Sequence, residues 1–214
     1  MKKSMSLLVL VATLLAPGML FAQSKPLFKV SKAKEIVLFN GTDLGNWAPS
    51  DFLNPGKIEV KDSCLIIGMG YYMSGVTWQG ELYPTNYEIS LEAMRVEGDD
   101  FFCGLTFPVK KSFCSLIVGG WGGTVVGLSS LNDLDASENE ATNFMTFESQ
   151  RWYHIRLIVT DTLISAYIDQ KKIINADISR KRISIRSEVA PSRPLGFATY
   201  WTKAALRRIV MKRL

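Results

Sequence analysis

Apolar and polar residues alternate at every second position in short runs along most of this chain, and no stretch sustains a 3.6-residue period. In Tyr87–Val96, the residues Tyr87, Ile89, Leu91 and Ala93 alternate with Glu88, Ser90, Glu92 and Met94. In Trp152–Val159, Tyr153, Ile155, Leu157 and Val159 share one face, while Trp152, His154, Arg156 and Ile158 share the other. Side chains of a strand point alternately to its two faces, so one face enters a core and a mixed face looks outward. That is the signature of two stacked antiparallel sheets. Similar runs recur at Ile36–Phe39, Ile58–Val60, Cys64–Ile67, Val76–Leu82, Phe101–Phe107, Phe113–Val118, Thr124–Leu128 and Leu163–Ile168. Lys171–Ile174, Arg182–Ile185, Leu195–Tyr200 and Leu206–Lys212 complete the series. Turn formers separate them, as at Asn40-Gly41-Thr42-Asp43, Glu97-Gly98-Asp99 and Thr160-Asp161-Thr162. The pattern predicts an all-β sandwich, one domain over 35–214, without linker or internal repeat.

The N-terminus breaks this pattern. A basic Met1-Lys2-Lys3 precedes an apolar core, Leu7–Leu15, then Pro17-Gly18 and the small residue Ala22. This predicts a signal peptide over 1–22, cleavage before Gln23 and a short polar leader over 23–34. The mature protein is then expected in the periplasm or secreted, with no later segment able to insert into a membrane. Removing Lys2 and Lys3 from a formal charge of +5 leaves about +3, too little to indicate a nucleic-acid partner. The run Arg180–Arg186 reads as the solvated face of a strand. Cys64, Cys103 and Cys114 contain no Cys-x-x-Cys pair, which excludes zinc ribbons and thioredoxin-type motifs. Cys103 and Cys114 would face each other across a two-residue turn at Pro108-Val109. A longer loop would shift that register, so a disulfide and two buried thiols both stay open.

Several segments, taken together, carry a resemblance. Leu38-Phe39-Asn40-Gly41-Thr42-Asp43-Leu44-Gly45-Asn46-Trp47 is similar to an "LFNGxDLxxW" opening, and Tyr87–Glu92 to an "F-E-L-x-x-E" strand. Trp152–Arg156 is similar to a "W-N-x-x-R" strand, and Leu195–Ala198 with Ala205–Ile209 to a "G-x-I-G-L … F-R-N-I" finish. Residues 35–214 thereby resemble the 3-keto-disaccharide hydrolase domain family. The resemblance implies a concanavalin A-like jelly roll of two antiparallel sheets, a carbohydrate ligand on a concave face, and action on oxidised sugars. It also sets Glu92 at the family's carboxylate position.

The residues themselves offer the following chemistry. Glu88 and Glu92 lie four positions apart on one strand, about 13 Å, which is too far for the carboxylate pair of a retaining glycosidase. Glu92 and Glu138 are the candidate catalytic bases for a 3-keto glycoside, whose C3 ketone acidifies the C2 hydrogen so that the C1 oxygen can be expelled. Arg95 and Lys203 are candidates to hold the enolate. Gly119-Gly120-Trp121-Gly122-Gly123 would hold one indole forward as a sugar platform, and Trp201 is a second candidate platform. Ser129–Asn143 is an acidic loop in which Asp133 and Asp135 could ligate Ca²⁺ or another divalent cation, with Asn143 a further polar contact to substrate. His154 is the only histidine, which disfavours imidazole triads and histidine-rich zinc sites. Two functions follow, an enzyme acting on 3-keto glycosides or a non-catalytic carbohydrate-binding module.

Overall fold

The computed structural model describes residues 27–214, so the predicted signal peptide over 1–22 lies outside the described residues. In chain order the strands are β1 (Glu35–Val37), β2 (Trp47–Pro49), β3 (Ile58–Lys61), β4 (Cys64–Ile67) and β5 (Met73–Trp78). Next come β6 (Tyr87–Gly98), β7 (Cys103–Val109), β8 (Ser112–Gly119), β9 (Val125–Ser129) and β10 (Asn143–Phe144). The last are β11 (Trp152–Val159), β12 (Leu163–Ile168), β13 (Lys171–Asp177), β14 (Gly196–Tyr200) and β15 (Thr202–Arg213). One sheet has eight strands in the order β13-β12-β11-β6-β15-β4-β3, with β1 also on β15, and the other has seven in the order β10-β9-β8-β7-β14-β5-β2. Every pairing between these strands is antiparallel. The predicted all-β sandwich of two antiparallel sheets is what the chain forms.

Alternation decides which side chains enter the core. Tyr87, Ile89, Leu91 and Ala93 of β6, and Tyr153, Ile155, Leu157 and Val159 of β11, are all buried between the sheets. Tyr87 donates its hydroxyl to Pro108 O at 2.5 Å, so the one polar atom of a buried ring is satisfied across the core. The Leu38–Trp47 segment closes on itself. Asn40 Oδ1 accepts from Thr42 N at 2.8 Å, Asp43 Oδ1 accepts from Gly45 N at 2.8 Å, and the Trp47 indole donates to Leu38 O at 2.7 Å. This opening element is a scaffold turn packed under the core. Residues 27–34 of the predicted leader dock on the sandwich, with Ser31 N bonded to Leu82 O at 2.9 Å and Ala33 O accepting from the Tyr83 hydroxyl at 2.7 Å.

At the cysteines one of two open readings holds, and one strand expectation is corrected. The β7–β8 turn falls at Lys110-Lys111, because Val109 is buried and keeps the strand running past Pro108. Cys103 therefore faces Val118 and Cys114 faces Phe107, and the two thiols are free. Burial pushes both up to about 12. Arg182–Ile185 is not a strand. It belongs to a strap that pairs with the acidic loop through Ser130 N to Ser184 O at 2.7 Å and Asn132 N to Arg182 O at 2.8 Å. The strap then continues into a 3-10 helix, Ser187–Ser192.

What positions the site is the outer face of the seven-stranded sheet. Register aligns Gly75, Ala198, Gly104, Ile117 and Gly127 in one row across β5, β14, β7, β8 and β9, and Thr77, Gly196, Thr106, Ser115 and Ser129 in the next. Nearly all are small, so backbone can lie directly on the sheet. A Cβ on Gly127 would meet Ala136 O at 2.3 Å, and one on Gly196 would meet Ser192 O at 2.6 Å. The hydroxyls of the second row bind the covering chain, Thr77 donating to Pro191 O at 2.6 Å and Ser129 Oγ accepting from Ala136 N at 2.9 Å. The strap and the acidic loop thus cover part of this face, and the uncovered part is a groove.

Candidate functional site

The groove encloses about 690 Å³ over the outer face of the seven-stranded sheet. Met73, Ile117, Phe101 and Tyr200 line it from the sheet side, with Phe52 from the chain after β2 and Val189 and Pro191 from the 3-10 helix. Its remaining lining includes Tyr72, Trp121 and the charged groups Asp51, Asp100, Arg186 and Glu188. A mainly apolar concavity with a few polar groups is the general form of a small-molecule site.

Trp121 sits in the tight turn Gly120–Gly123, with φ 50 and ψ 58. A bulky residue in the left-handed region is uncommon and needs surroundings that hold it there. Two groups supply the hold. Asp100 accepts from Phe101 N at 2.7 Å through Oδ1 and from Gly122 N at 2.9 Å through Oδ2. Arg95 donates to Gly123 O at 3.1 Å from beneath the turn. Trp121 itself remains 44% exposed, so its indole is presented to solvent and not to the core.

Arg186 joins the acidic loop to the strap. It donates to Asp135 at 2.5 Å and to Glu188 at 2.8 Å. The Arg186 hydrogen bond, helped by backbone and Ser187 donors, holds the Glu188 carboxyl down at about 2. Asp100 spends its oxygens on backbone amides. Asp51 is different: its exposed carboxylate accepts no hydrogen bond and joins no ion pair among the described residues.

Of the residues singled out from sequence, Trp121 lines the groove and Trp201 adjoins it, 6.1 Å from the Tyr72 ring. The others lie elsewhere. Glu92 is on the outer face of the opposite, eight-stranded sheet, where a bulge in β15 brings two consecutive arginines onto one carboxylate, Arg207 at 2.6 Å and Arg208 at 2.8 Å. Burial alone would raise Glu92, but these hydrogen bonds and charges outweigh it and hold the group below its ordinary range. A carboxylate so paired is a poor base. Arg95 is only 6% exposed and serves the Trp121 turn from inside the sandwich. Glu138 is exposed on the acidic loop, Asn143 bonds Ala141 O at 3.1 Å, and Lys203 pairs in register with Glu97; none of the three lines the groove. Asp133 and Asp135 are paired with the guanidinium groups of Arg182 and Arg186. Among the described residues no three His, Cys, Asp or Glu side chains converge as metal ligands.

Sequence reasoning missed Asp51, Phe52, Tyr72, Phe101, Arg186, Glu188 and Tyr200. One signal was available: Tyr71-Tyr72 directly follow Gly68-Met69-Gly70, a glycine-led aromatic pair akin to the glycine-flanked Trp121.

The 3-keto-alpha-glucoside-1,2-lyase-like domain profile matches residues 34–212. The chain belongs to that family. No curated protein matches the chain. Among solved structures, it is similar in fold to the Crh5 transglycosylase in complex with NAG, with TM-score 0.59 and 10% identity over 88% of this chain and 87% of that one. It is also similar to the carbohydrate binding module CBM66 from Bacillus subtilis, with TM-score 0.51 and 10% identity over 78% of this chain and 95% of that one. Domain 4 of AbnA, a GH43 extracellular arabinanase from Geobacillus stearothermophilus in complex with arabinotriose, has TM-score 0.51 and 13% identity over 78% and 82%. At these identities the likeness speaks for the fold alone. No helix among the described residues is long and apolar enough to cross a membrane.

Proposed function

We propose that the groove binds a carbohydrate and that the protein cleaves 3-keto glycosides by 1,2-elimination, with Asp51 as the base. The observation that carries this is the contrast among the groove carboxylates. Glu188 and Asp100 are held by donors, and Asp51 alone is free to take a proton. A pyranose ring would lie with its C–H face on Trp121. Asp51 takes the C2 proton, and the negative charge that develops on the C3 oxygen faces the Arg186 guanidinium. The pair left at C2 then forms a C1=C2 double bond conjugated with the re-formed C3 ketone, while the electrons of the C1–O bond leave on the departing oxygen. The departing oxygen takes a proton from water or from the hydroxyl of Tyr72 or Tyr200. Family membership and the carbohydrate-associated neighbours support this reading.

The test is incubation of the purified protein with a 3-keto glucoside, following the conjugated enone by ultraviolet absorbance. Asp51→Asn is expected to lower turnover about a hundredfold or more with binding retained, and Trp121→Ala to weaken binding. Full activity in Asp51→Asn overturns the assignment of the base. A non-catalytic binding module is the second reading, favoured by the mutual neutralisation of Arg186, Asp135 and Glu188. It stands if no keto glycoside is consumed while Trp121→Ala abolishes glycan binding. Export of the chain is part of the proposal, on the basic start, apolar run and small Ala22 of residues 1–22. Intact mass of the exported protein is expected to begin at Gln23, and a retained Met1 would refute it.

A further inference from the structure

The aromatic lining of the groove does not stop at its mouth. Phe101 and Tyr200 are near-parallel at 6.0 Å, Tyr200 and Trp201 at 5.2 Å, and Trp201 and Tyr72 at 6.1 Å with only 14° between their planes. Tyr71 continues the series, edge-on to Tyr72 at 4.5 Å. Phe101, Tyr200 and Tyr72 line the groove, whereas Tyr71 and Trp201 lie beyond it, 63% and 48% exposed.

This outer cluster is held rigidly. Trp201 has φ 41, in the left-handed region. Its backbone N–H donates to Tyr72 O at 3.0 Å, and its indole N–H donates to Tyr71 O. Gly98 permits the close fit, since a Cβ there would meet Trp201 O at 2.3 Å. With its only donor spent on Tyr71, the Trp201 ring has just an apolar surface to offer. A contiguous exposed apolar surface, fixed in place and continuous with a groove, marks a place where ligand binds.

We propose that Tyr71, Tyr72 and Trp201 form a second platform that binds the leaving group of the glycoside and selects one with a flat apolar face, either an aryl ring or the C–H face of a second pyranose. The proposal rests on the reading of the groove given above. The groups that would remove the C2 proton and stabilise the enolate, Asp51 and Arg186, lie inside the groove. What extends outward over the platform is therefore the part of the substrate beyond the C1 oxygen.

The experiment compares kcat/KM for the methyl, benzyl and glucosyl 3-keto glucosides, whose leaving alkoxides are of similar basicity, in the parent, Trp201→Ala and Trp201→Phe proteins. The parent is expected to favour the benzyl or glucosyl compound over the methyl one by about tenfold, the scale of one aromatic contact. Trp201→Ala should bring that ratio near one, and Trp201→Phe should keep most of it. A preference for benzyl assigns an aryl leaving group, and one for glucosyl a second sugar. Should Trp201→Ala fail to fold, Tyr71→Ser gives the same reading from the outermost ring. A ratio near one in the parent, or one unchanged in the folded variants, overturns the platform. Calorimetric binding of unoxidised phenyl and methyl glucosides separates the two proposals. If no keto glucoside is consumed, the elimination reading fails, while the platform still stands or falls on tighter phenyl glucoside binding that Trp201→Ala removes.

Discussion

On the outer face of the eight-stranded sheet, long charged side chains neutralise one another in the open. On the outer face of the seven-stranded sheet, glycine, alanine, serine and threonine let other backbone lie against the strands. Glu88 pairs with Arg156 at 2.7 Å, Glu92 with Arg207 and Arg208, and the Arg207 guanidinium sits 4.0 Å from the Trp152 ring centre. Such pairs keep a face wet and contribute little each. Across the sandwich, the covering strap and the groove beside it depend on what the sheet lacks. The polar face that looks chemically rich is the solvated one, and the chemically plain face carries the groove.

The largest expected effect tests this directly. Gly127→Val drives a side chain into Ala136 and should cost about 2–3 kcal/mol in urea unfolding. Ser90→Val, on the outer face of β6, should stay within about 0.5 kcal/mol of the parent. Equal losses at the two positions would remove the distinction between the faces. Next in size, Glu92→Gln should lose about 1 kcal/mol through the weakened arginine pairs and leave turnover of any keto glycoside unchanged, in contrast to Asp51→Asn. Loss of turnover in Glu92→Gln would move the site to the other sheet.

The core was legible because burial follows period two. Tyr87, Ile89, Leu91 and Ala93 announce their face within a single run of sequence. The family was legible too, through the Leu38–Trp47 turn, yet that turn is held by its own hydrogen bonds and does not line the groove. The site was largely hidden. Residues 51–53, 72–73, 100–101, 121, 186–189, 191 and 200 meet only through strand register and a long strap. A glycine such as Gly75 or Gly127 reads alone as a weak point in a strand, and only the register that sets both in one row with Gly104 and Ala198 turns it into a floor. Arg186 misled for the same reason: its run alternates like a strand, but its partners, Asp135 and Glu188, draw it into a strap. Glu92 misled in the opposite sense, because the β15 bulge that aims Arg208 at it shows in sequence only as one slipped beat, Arg207-Arg208 between the buried Leu206 and Ile209.

The smallest expected effect concerns acid. Glu188 sits at about 2 in the folded protein against an ordinary value of 4.5, held there first by the Arg186 hydrogen bond. Because the folded value is the lower one, the stability it contributes is fully present above pH 4.5 and is lost as pH falls towards 2. Its side chain is half exposed, so solvent screens the pair and the loss should be local and modest. Glu92 is also depressed and adds acid sensitivity on the opposite sheet, which a global melt would merge with that of the strap. Amide hydrogen exchange at Val189, whose N–H bonds Arg186 O at 3.3 Å, isolates the strap. Exchange there is expected to quicken below pH 4.5, beyond the intrinsic pH trend of exchange, while Leu91 in β6 stays protected. In Glu188→Gln the Val189 amide should exchange faster at pH 6 and lose the additional acid response. An identical acid profile in parent and variant would mean that the strap is held by the hydroxyls of the sheet floor, such as Thr77 on Pro191, and not by the Arg186 pair.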